Sequence, residues 1–338
     1  MLQTSTPHSP LAQAAYRALL ASLAAEPELG LRGVAICKSR GGGRFWYDSY
    51  RVGASVKSRY LGPDSSALQE KLRAHAEQRA AFAVRQQERR SFVRFLQAER
   101  VALIDGGTGS FLSAFSALGG FRHGAVLMGE PAFELSALEL GCRLTTTQQS
   151  CLSRSVPSCI PLAALEPVDE GLYEVTGELK LRASVPFDPV WPLSWPSASR
   201  DVRITYLTPR VSPDGTPVWP LSSDDYRAPP LMKFLIEQSI AAALPYRHGV
   251  LLRIPRPERF ALHALLMAHC HAGANRTERA ATDLDQATAL LDILIRDRPD
   301  DLRAAWAIAA AQWPDLLQAS LSQAPWIRDR LDTADITI

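Results

Sequence analysis

Between Ser65 and Glu99 the chain runs for 35 residues without a glycine or a proline. Its alanine, glutamine, glutamate and arginine content favours helix at almost every position. Such a segment forms one long helix or two shorter ones and holds the N-terminal part of the chain apart from the rest, so residues 65–100 are expected to be a helical linker.

Ahead of it, residues 10–26 place Leu11, Ala15, Leu19, Leu20 and Leu23 on one helical face, and Pro27 to Gly30 ends that helix. Residues 34–64, VAICKSRGGGRFWYDSYRVGASVKSRYLGPD, alternate β-branched and aromatic runs with turn-forming residues at Gly41 to Gly43 and at Val52-Gly53-Ala54. They predict a small three-stranded antiparallel sheet, and with the first helix they make an N-terminal module over 1–64.

Charge is unevenly spread. The net +2 hides fifteen Lys or Arg against six Asp or Glu over residues 32–100, and 21 against 27 over 101–338. In the sheet, Lys38, Arg40, Arg44, Arg51, Lys57 and Arg59 are interleaved with Phe45, Trp46, Tyr47, Tyr50 and Tyr60. Cations for phosphates beside aromatic rings for bases suit nucleic acid. The candidate contacts are Lys38, Arg40, Arg44, Trp46, Tyr47, Arg51, Lys57 and Arg59. The bland alternative is a solvated basic face whose aromatics pack on the adjoining long helix.

Beyond the linker, residues 101–228 read as an α/β domain: a helix over about 109–118, a strand AVLMG (125–129), and a helix opened by Pro131 and closed by Gly141. Residues 145–199 are rich in Ser, Thr and Pro, with one strand pair expected around 172–185. Trp191-Pro192 and Trp195-Pro196 favour loop over regular structure. VRITYLTP (202–209) reads as a buried strand. Residues 229–338 then read as a helical domain, including LMKFLIEQSIAAAL (231–244), interrupted by a short strand at 249–255. The whole is an α+β chain.

No stretch approaches the roughly eighteen apolar residues of a membrane helix, and the start MLQTSTPHSP has no signal-like pattern, so no membrane association and a cytoplasmic location are expected. The five cysteines include no CxxC pair, which argues against a disulfide framework or a structural zinc site. His269, Cys270 and His271 are consecutive and would point about 100° apart on a helix, unlike zinc ligands at i and i+4. IDGGTGS (104–110) lacks the lysine of a phosphate-binding loop and is expected to lead into a helix.

Four blocks in order, YLGPDS (60–65), FRHGAVLMGEPAFELSALELG (121–141), VRITYLTP (202–209) and IPRPERFALHALL with DLDQA (254–266 and 283–287), resemble a family of bacterial nucleotidyltransferase-fold proteins of unassigned function. The layout is more distantly similar to abortive-infection toxin nucleotidyltransferases. The resemblance implies a mixed sheet with flanking helices. It also implies a Gly-Ser or Gly-Thr before the first helix to hold a triphosphate, an Asp-x-Asp pair on the next strand, and a third Asp on a neighbouring strand, which together bind divalent cations.

This chain departs from that pattern at each place. The Gly-Ser/Thr position reads Gly129-Glu130, and a carboxylate there repels phosphate from the helix N-terminus. The Asp-x-Asp position reads LTTTQQSCLSRS (144–155), with no acidic residue between Glu139 and Glu166, and Thr205 stands where the third Asp belongs. The C-terminal pattern Ala-Leu-His-Lys-Leu has Ala264 in place of its lysine, leaving His263. The expectation is a degenerate transferase that needs no cofactor and acts by binding nucleic acid or a protein partner, with Gly129 and His263 as the remaining cofactor-site residues. The alternative is an active enzyme using Glu130, Glu134 and Asp201 with Mg²⁺ and a nucleoside triphosphate; an acidic pair that only complements the helix dipole is the plainer account of Glu130 and Glu134. A structural partner in a toxin-like system is a third possibility.

Overall fold

The computed structural model describes residues 5–26, 30–52, 55–99, 101, 105–144, 159–163, 175, 179, 182–183, 192–195, 202–207, 210–211, 217–218 and 228–336. The chain opens with β1 (Ser5–Pro7), α1 (Pro10–Ala24), β2 (Val34–Arg40), β3 (Gly43–Val52) and β4 (Ser55–Pro63). The glycine- and proline-free stretch forms one helix, α2 (Ser66–Ala98). Its first turn is capped by Ser65, whose Oγ accepts from the Leu68 amide at 3.2 Å.

Strands β2, β3 and β4 form the expected antiparallel sheet, with β3 in the middle. The first hairpin turns through Gly41 and Gly42 alone, at φ +57° and +78°, while Gly43 is already the first residue of β3. Two consecutive left-handed residues match the twist of a hairpin, which is why glycines stand there. The sheet leans on α2: His75 Nε2 lies 3.3 Å from the Gly33 carbonyl oxygen, to which Arg79 also donates.

Helix α1 is capped by Ser9, whose Oγ accepts from the Ala12 amide at 3.1 Å. It packs on α2 and on a hairpin of two later strands, β13 (Ile240–Leu244) and β14 (Val250–Ile254). That hairpin corrects the sequence expectation, which puts Ile240 to Leu244 in a helical run. The register pairs Ile240 with Ile254 and Leu244 with Val250. Ala242 and Ala243 are fully buried there and let α1 approach closely, and Gly249, at φ +86°, has no room for a Cβ, which would lie 2.8 Å from Leu19 Cδ1. Burial on a two-stranded ribbon overrides the helix propensity of alanine.

The central part contains α3 (Gly106–Ala117), β5 (Val126–Leu127), α4 (Gly129–Glu139) and β6 (Cys142–Leu144), followed by β7 (Cys159–Ala163), β8 (Arg182–Ala183), β9 (Pro192–Trp195), β10 (Val202–Leu207), β11 (Arg210–Val211) and β12 (Pro217–Val218). Asp105 caps α3 by accepting from the Gly107 and Thr108 amides, so the IDGGTGS segment enters a helix as expected, three residues earlier than 109. Five strands form a mixed sheet in the order β5-β7-β10-β9-β8, with β7 and β10 parallel and the other pairs antiparallel. β10 is the strand expected at 202–209. β9 corrects the loop assigned to the Trp-Pro repeats: Pro192 to Trp195 pair with Thr205 to Val202, and the proline sits at the first residue of its strand, where a missing amide costs least. β1 pairs with β6, tying the N-terminus to this layer.

The last third contains α5 (Ala228–Ile236), the β13–β14 hairpin, and α6 (Pro257–Gly273), α7 (Thr277–Asp297), α8 (Pro299–Gln312), α9 (Pro314–Gln323) and α10 (Pro325–Thr333). Four of these helices have proline as their first residue, where the missing amide has no partner to lose. One apolar core runs from Leu19 through Phe111, Leu127 and Ile160 to Leu265, Trp306 and Leu331. Among the described residues no helix is long and apolar enough to cross a membrane.

Candidate functional site

Strand β5 delivers the chain to a tight corner at Gly129. The Met128 amide donates to the Pro161 carbonyl at 2.9 Å, and Gly129 takes φ +65° to start α4. A Cβ at Gly129 would stand 2.8 Å from Pro161 Cγ, so both the backbone angle and the space require glycine. The register sets Thr205 of β10 opposite Pro161 of β7. Gly129 and Thr205, the positions that the resemblance implies for the nucleotide site, therefore lie on either side of Pro161 at one end of the sheet.

Glu130 lies in the first turn of α4 and Glu134 one turn further on. Burial, and then the Glu130 carboxylate, push the Glu134 carboxyl up to about 7. The folded carboxyl titrates near 7 and the unfolded one near its ordinary value of 4.5, so between these pH values the folded chain holds the extra proton. Stability falls as pH rises through that window and the loss is complete above it, at most about 3 kcal/mol. We expect Glu134→Gln to melt at a less pH-sensitive temperature than the parent between pH 5 and 8, with the gain largest at pH 8. Thermal melts at the two pH values check this, and a parallel shift of both curves would refute it.

A metal-bound triphosphate needs clustered anionic oxygens. The described donors at this corner do not fit one, because Glu130 and Glu134 are two carboxylates on one helix with no third donor described beside them. Among the described residues no group of three or more His, Cys, Asp or Glu could hold a metal ion. Residues 145–158, which cover most of the Asp-x-Asp position, and Asp201 lie outside the described residues.

His263 sits on α6, where burial lowers it to about 4 against the raising effect of Asp283 and with the lowering effect of His271. It is neutral at physiological pH and offers no charge to a phosphate. His271 Nδ1 meets Asp283 Oδ2 across the α6–α7 pair at 2.6 Å, which accounts for one member of the His-Cys-His run structurally. Cys37, Cys142 and Cys270 are free thiols.

The three-stranded sheet divides the candidate nucleic-acid residues between its two faces, as the period of two along a strand requires. The inner face carries Arg44, Trp46, Asp48, Lys57 and Arg59. There Trp46 Nε1 donates to Asp64 Oδ1 at 2.8 Å, Arg44 pairs with Asp64 at 3.6 Å, and Arg59 pairs with the fully buried Asp48 at 3.5 Å. The contacts of Trp46 and Arg44 with Asp64 hold the sheet to the start of α2, and the Arg59–Asp48 pair ties β4 to β3. Hydrogen bonds from Gln69 and Trp46 keep the Asp64 carboxyl below its usual range.

The outer face carries Val34, Ile36, Lys38, Arg40, Phe45, Tyr47, Arg51, Val56 and Tyr60 and no acidic residue. Lys38, Arg40 and Arg51 are exposed. Val34, Ile36, Val56 and Tyr60 are 55%, 41%, 64% and 53% exposed, four of the seven exposed large hydrophobics among the described residues. Tyr60 stands 5.4 Å from Tyr47 and 6.4 Å from Phe45 between ring centroids, and Lys38 Nζ lies 4.7 Å from the Tyr47 ring centre. Val34, Ile36 and Val56 are not among the residues that the sequence singles out. Alternation along β2 and β4 marks one face as theirs, but only the position of α2 shows that this face is the uncovered one.

The mixed sheet, with its strand that turns through a glycine into a helix, lies within the part of the chain that matches a nucleotidyltransferase family model. The chain belongs to the nucleotidyltransferase family whose model matches residues 107–311. Residues 12–74 match the model of a domain of unknown function, DUF6788. The chain is similar to an antigenic nucleotidyltransferase-like protein of solved structure from Paracoccidioides brasiliensis, at 12% identity and a TM-score of 0.36, over 65% of this chain and 94% of that one. The comparison with curated proteins finds no match.

Proposed function

We propose that this nucleotidyltransferase-like protein no longer transfers nucleotides and acts by binding nucleic acid through the outer face of the β2–β4 sheet. The observation that carries the binding half is that face: exposed apolar and aromatic groups flanked by Lys38, Arg40 and Arg51, with no carboxylate among them. Phosphate attraction supplies affinity that declines with salt, and ring surfaces supply contact to bases. The catalytic half rests on the residues that occupy the family's positions: Glu130 at the phosphate position, no acid over 140–165, and Thr205 on the third strand.

The competing reading is Mg²⁺-dependent transfer from a nucleoside triphosphate by Glu130, Glu134 and Asp201, favoured only by the closeness of Glu130 and Glu134 on α4. Two measurements on the full chain separate them. Fluorescence anisotropy with labelled RNA and DNA is expected to show saturable binding at low salt that weakens as salt rises; no binding at about a 10 Å Debye length or longer overturns it. Incubation with radiolabelled triphosphates and Mg²⁺ or Mn²⁺ is expected to label nothing, and labelling abolished by Glu130→Gln establishes the enzyme instead.

A further inference from the structure

We infer that the ligand of the outer sheet face is single-stranded nucleic acid, held by stacking of bases on Tyr60 between two basic ends; this rests on the proposal that the face binds nucleic acid. The rings of Phe45, Tyr47 and Tyr60 form one contiguous cluster, with interplanar angles of 45° and 58° about Tyr60, the most exposed of the three. Lys38 and Arg40 stand at the β2–β3 turn end of this cluster and Arg51 at the far end of β3. From Phe45 to Arg51 is six strand residues, about 20 Å. The two cationic ends therefore bracket the rings along the strand direction, the arrangement needed to follow a backbone while its bases lie on the surface between.

Charge alone would accept a duplex as readily. The exposed ring of Tyr60 favours a single strand, because a duplex keeps its base faces inside the stack and offers this ring only phosphates and groove edges. A single strand offers unstacked base faces that cover the ring, and such stacking tolerates any sequence because every base has a π-face. A protein surface recognising this face would have to be acidic and apolar together, and it is one outcome of the binding test.

The test is anisotropy of the full chain with a fluorescein-labelled thymidine oligonucleotide and a duplex of the same length, about 20 nucleotides, longer than one such site. The expected result is single-strand binding at least about tenfold tighter than duplex binding, weakened about fivefold or more by Tyr60→Leu and little changed by Tyr60→Phe. The slope of log K against log salt is expected near −2, about 0.7 per phosphate for three cations, and Lys38→Glu with Arg51→Glu flattens it. Equal affinity for both oligonucleotides overturns this inference while leaving nucleic-acid binding in place. So does a Tyr60→Leu variant that melts like the parent and binds undiminished. Binding of neither oligonucleotide overturns both readings and leaves a protein as the ligand. The strand-to-duplex ratio of the parent reads out the inference even where a tyrosine variant fails to fold.

Discussion

Replacing Asp48 with alanine is expected to unfold the three-stranded sheet while the rest of the molecule stays folded. Asp48 is fully buried; its Oδ1 accepts from the Gly33 amide at 2.8 Å and its Oδ2 from the Arg32 amide at 2.9 Å, with Arg59 Nη2 at 3.5 Å. Alanine leaves two backbone donors without an acceptor at about 1–3 kcal/mol each, and releases Arg59 from its partner. The backbone cannot move in to compensate, since Gly33 lies so close to β3 that a Cβ there would stand 1.9 Å from the Ser49 carbonyl oxygen. A small three-stranded sheet has little stability in reserve. Hydrogen exchange over residues 30–63 should rise toward unprotected rates, the proposed nucleic-acid binding should be lost with it, and Asp48→Asn, which keeps one acceptor, should lose less. Unchanged protection in Asp48→Ala would show that the carboxylate does not organise the sheet.

Arg89→Met should lower the stability of the whole chain by about 3 kcal/mol. Arg89 is 1% exposed on α2; its Nε donates to Ser22 Oγ at 2.8 Å and its Nη2 to the Ser22 carbonyl at 2.6 Å, and it also pairs with Glu26 just after α1. Removing one member of a buried pair leaves the other uncompensated, which costs about 3–5 kcal/mol. The lower end applies because Arg85 still reaches Glu26, with Nε at 3.1 Å. Urea titration reads the loss directly. Combined with Glu26→Gln, the two changes should cost clearly less than the sum of the singles, because each removes the same interaction. Additive losses would mean that Arg89 acts through its packing and its Ser22 hydrogen bonds and not through Glu26.

The glycine- and proline-free run is legible as helix because so long a run of helix formers needs no distant partner to settle its type, though whether it forms one helix or two is not. The β2–β4 sheet is legible from its turns, since Gly41 and Gly42 carry the left-handed angles that a tight hairpin demands. Ile240 to Leu244 and Pro192 to Trp195 mislead for a common reason. Alanine and proline carry strong local preferences, and cross-strand pairing with Val250 to Ile254 and with Val202 to Thr205 overrides them. Strand β7 carries no pattern that stands out from its Ser- and Pro-rich surroundings, yet it supplies the Pro161 contact that makes Gly129 obligatory.

By itself the order of residues determined the element types wherever periodicity and turn chemistry agreed, and the basic character of residues 32–100. Tertiary structure alone decided which basic and aromatic groups meet solvent. A strand's alternation sorts its side chains into two sets without saying which set is covered, and here the set that holds Asp48 and Trp46 meets Asp64 at the start of α2, leaving Lys38, Arg51 and Tyr60 outside, while Arg44 and Arg59 of the first set still reach solvent. Tertiary structure likewise raised the Glu134 carboxyl, because desolvation depends on what surrounds a group and not on its neighbours in sequence.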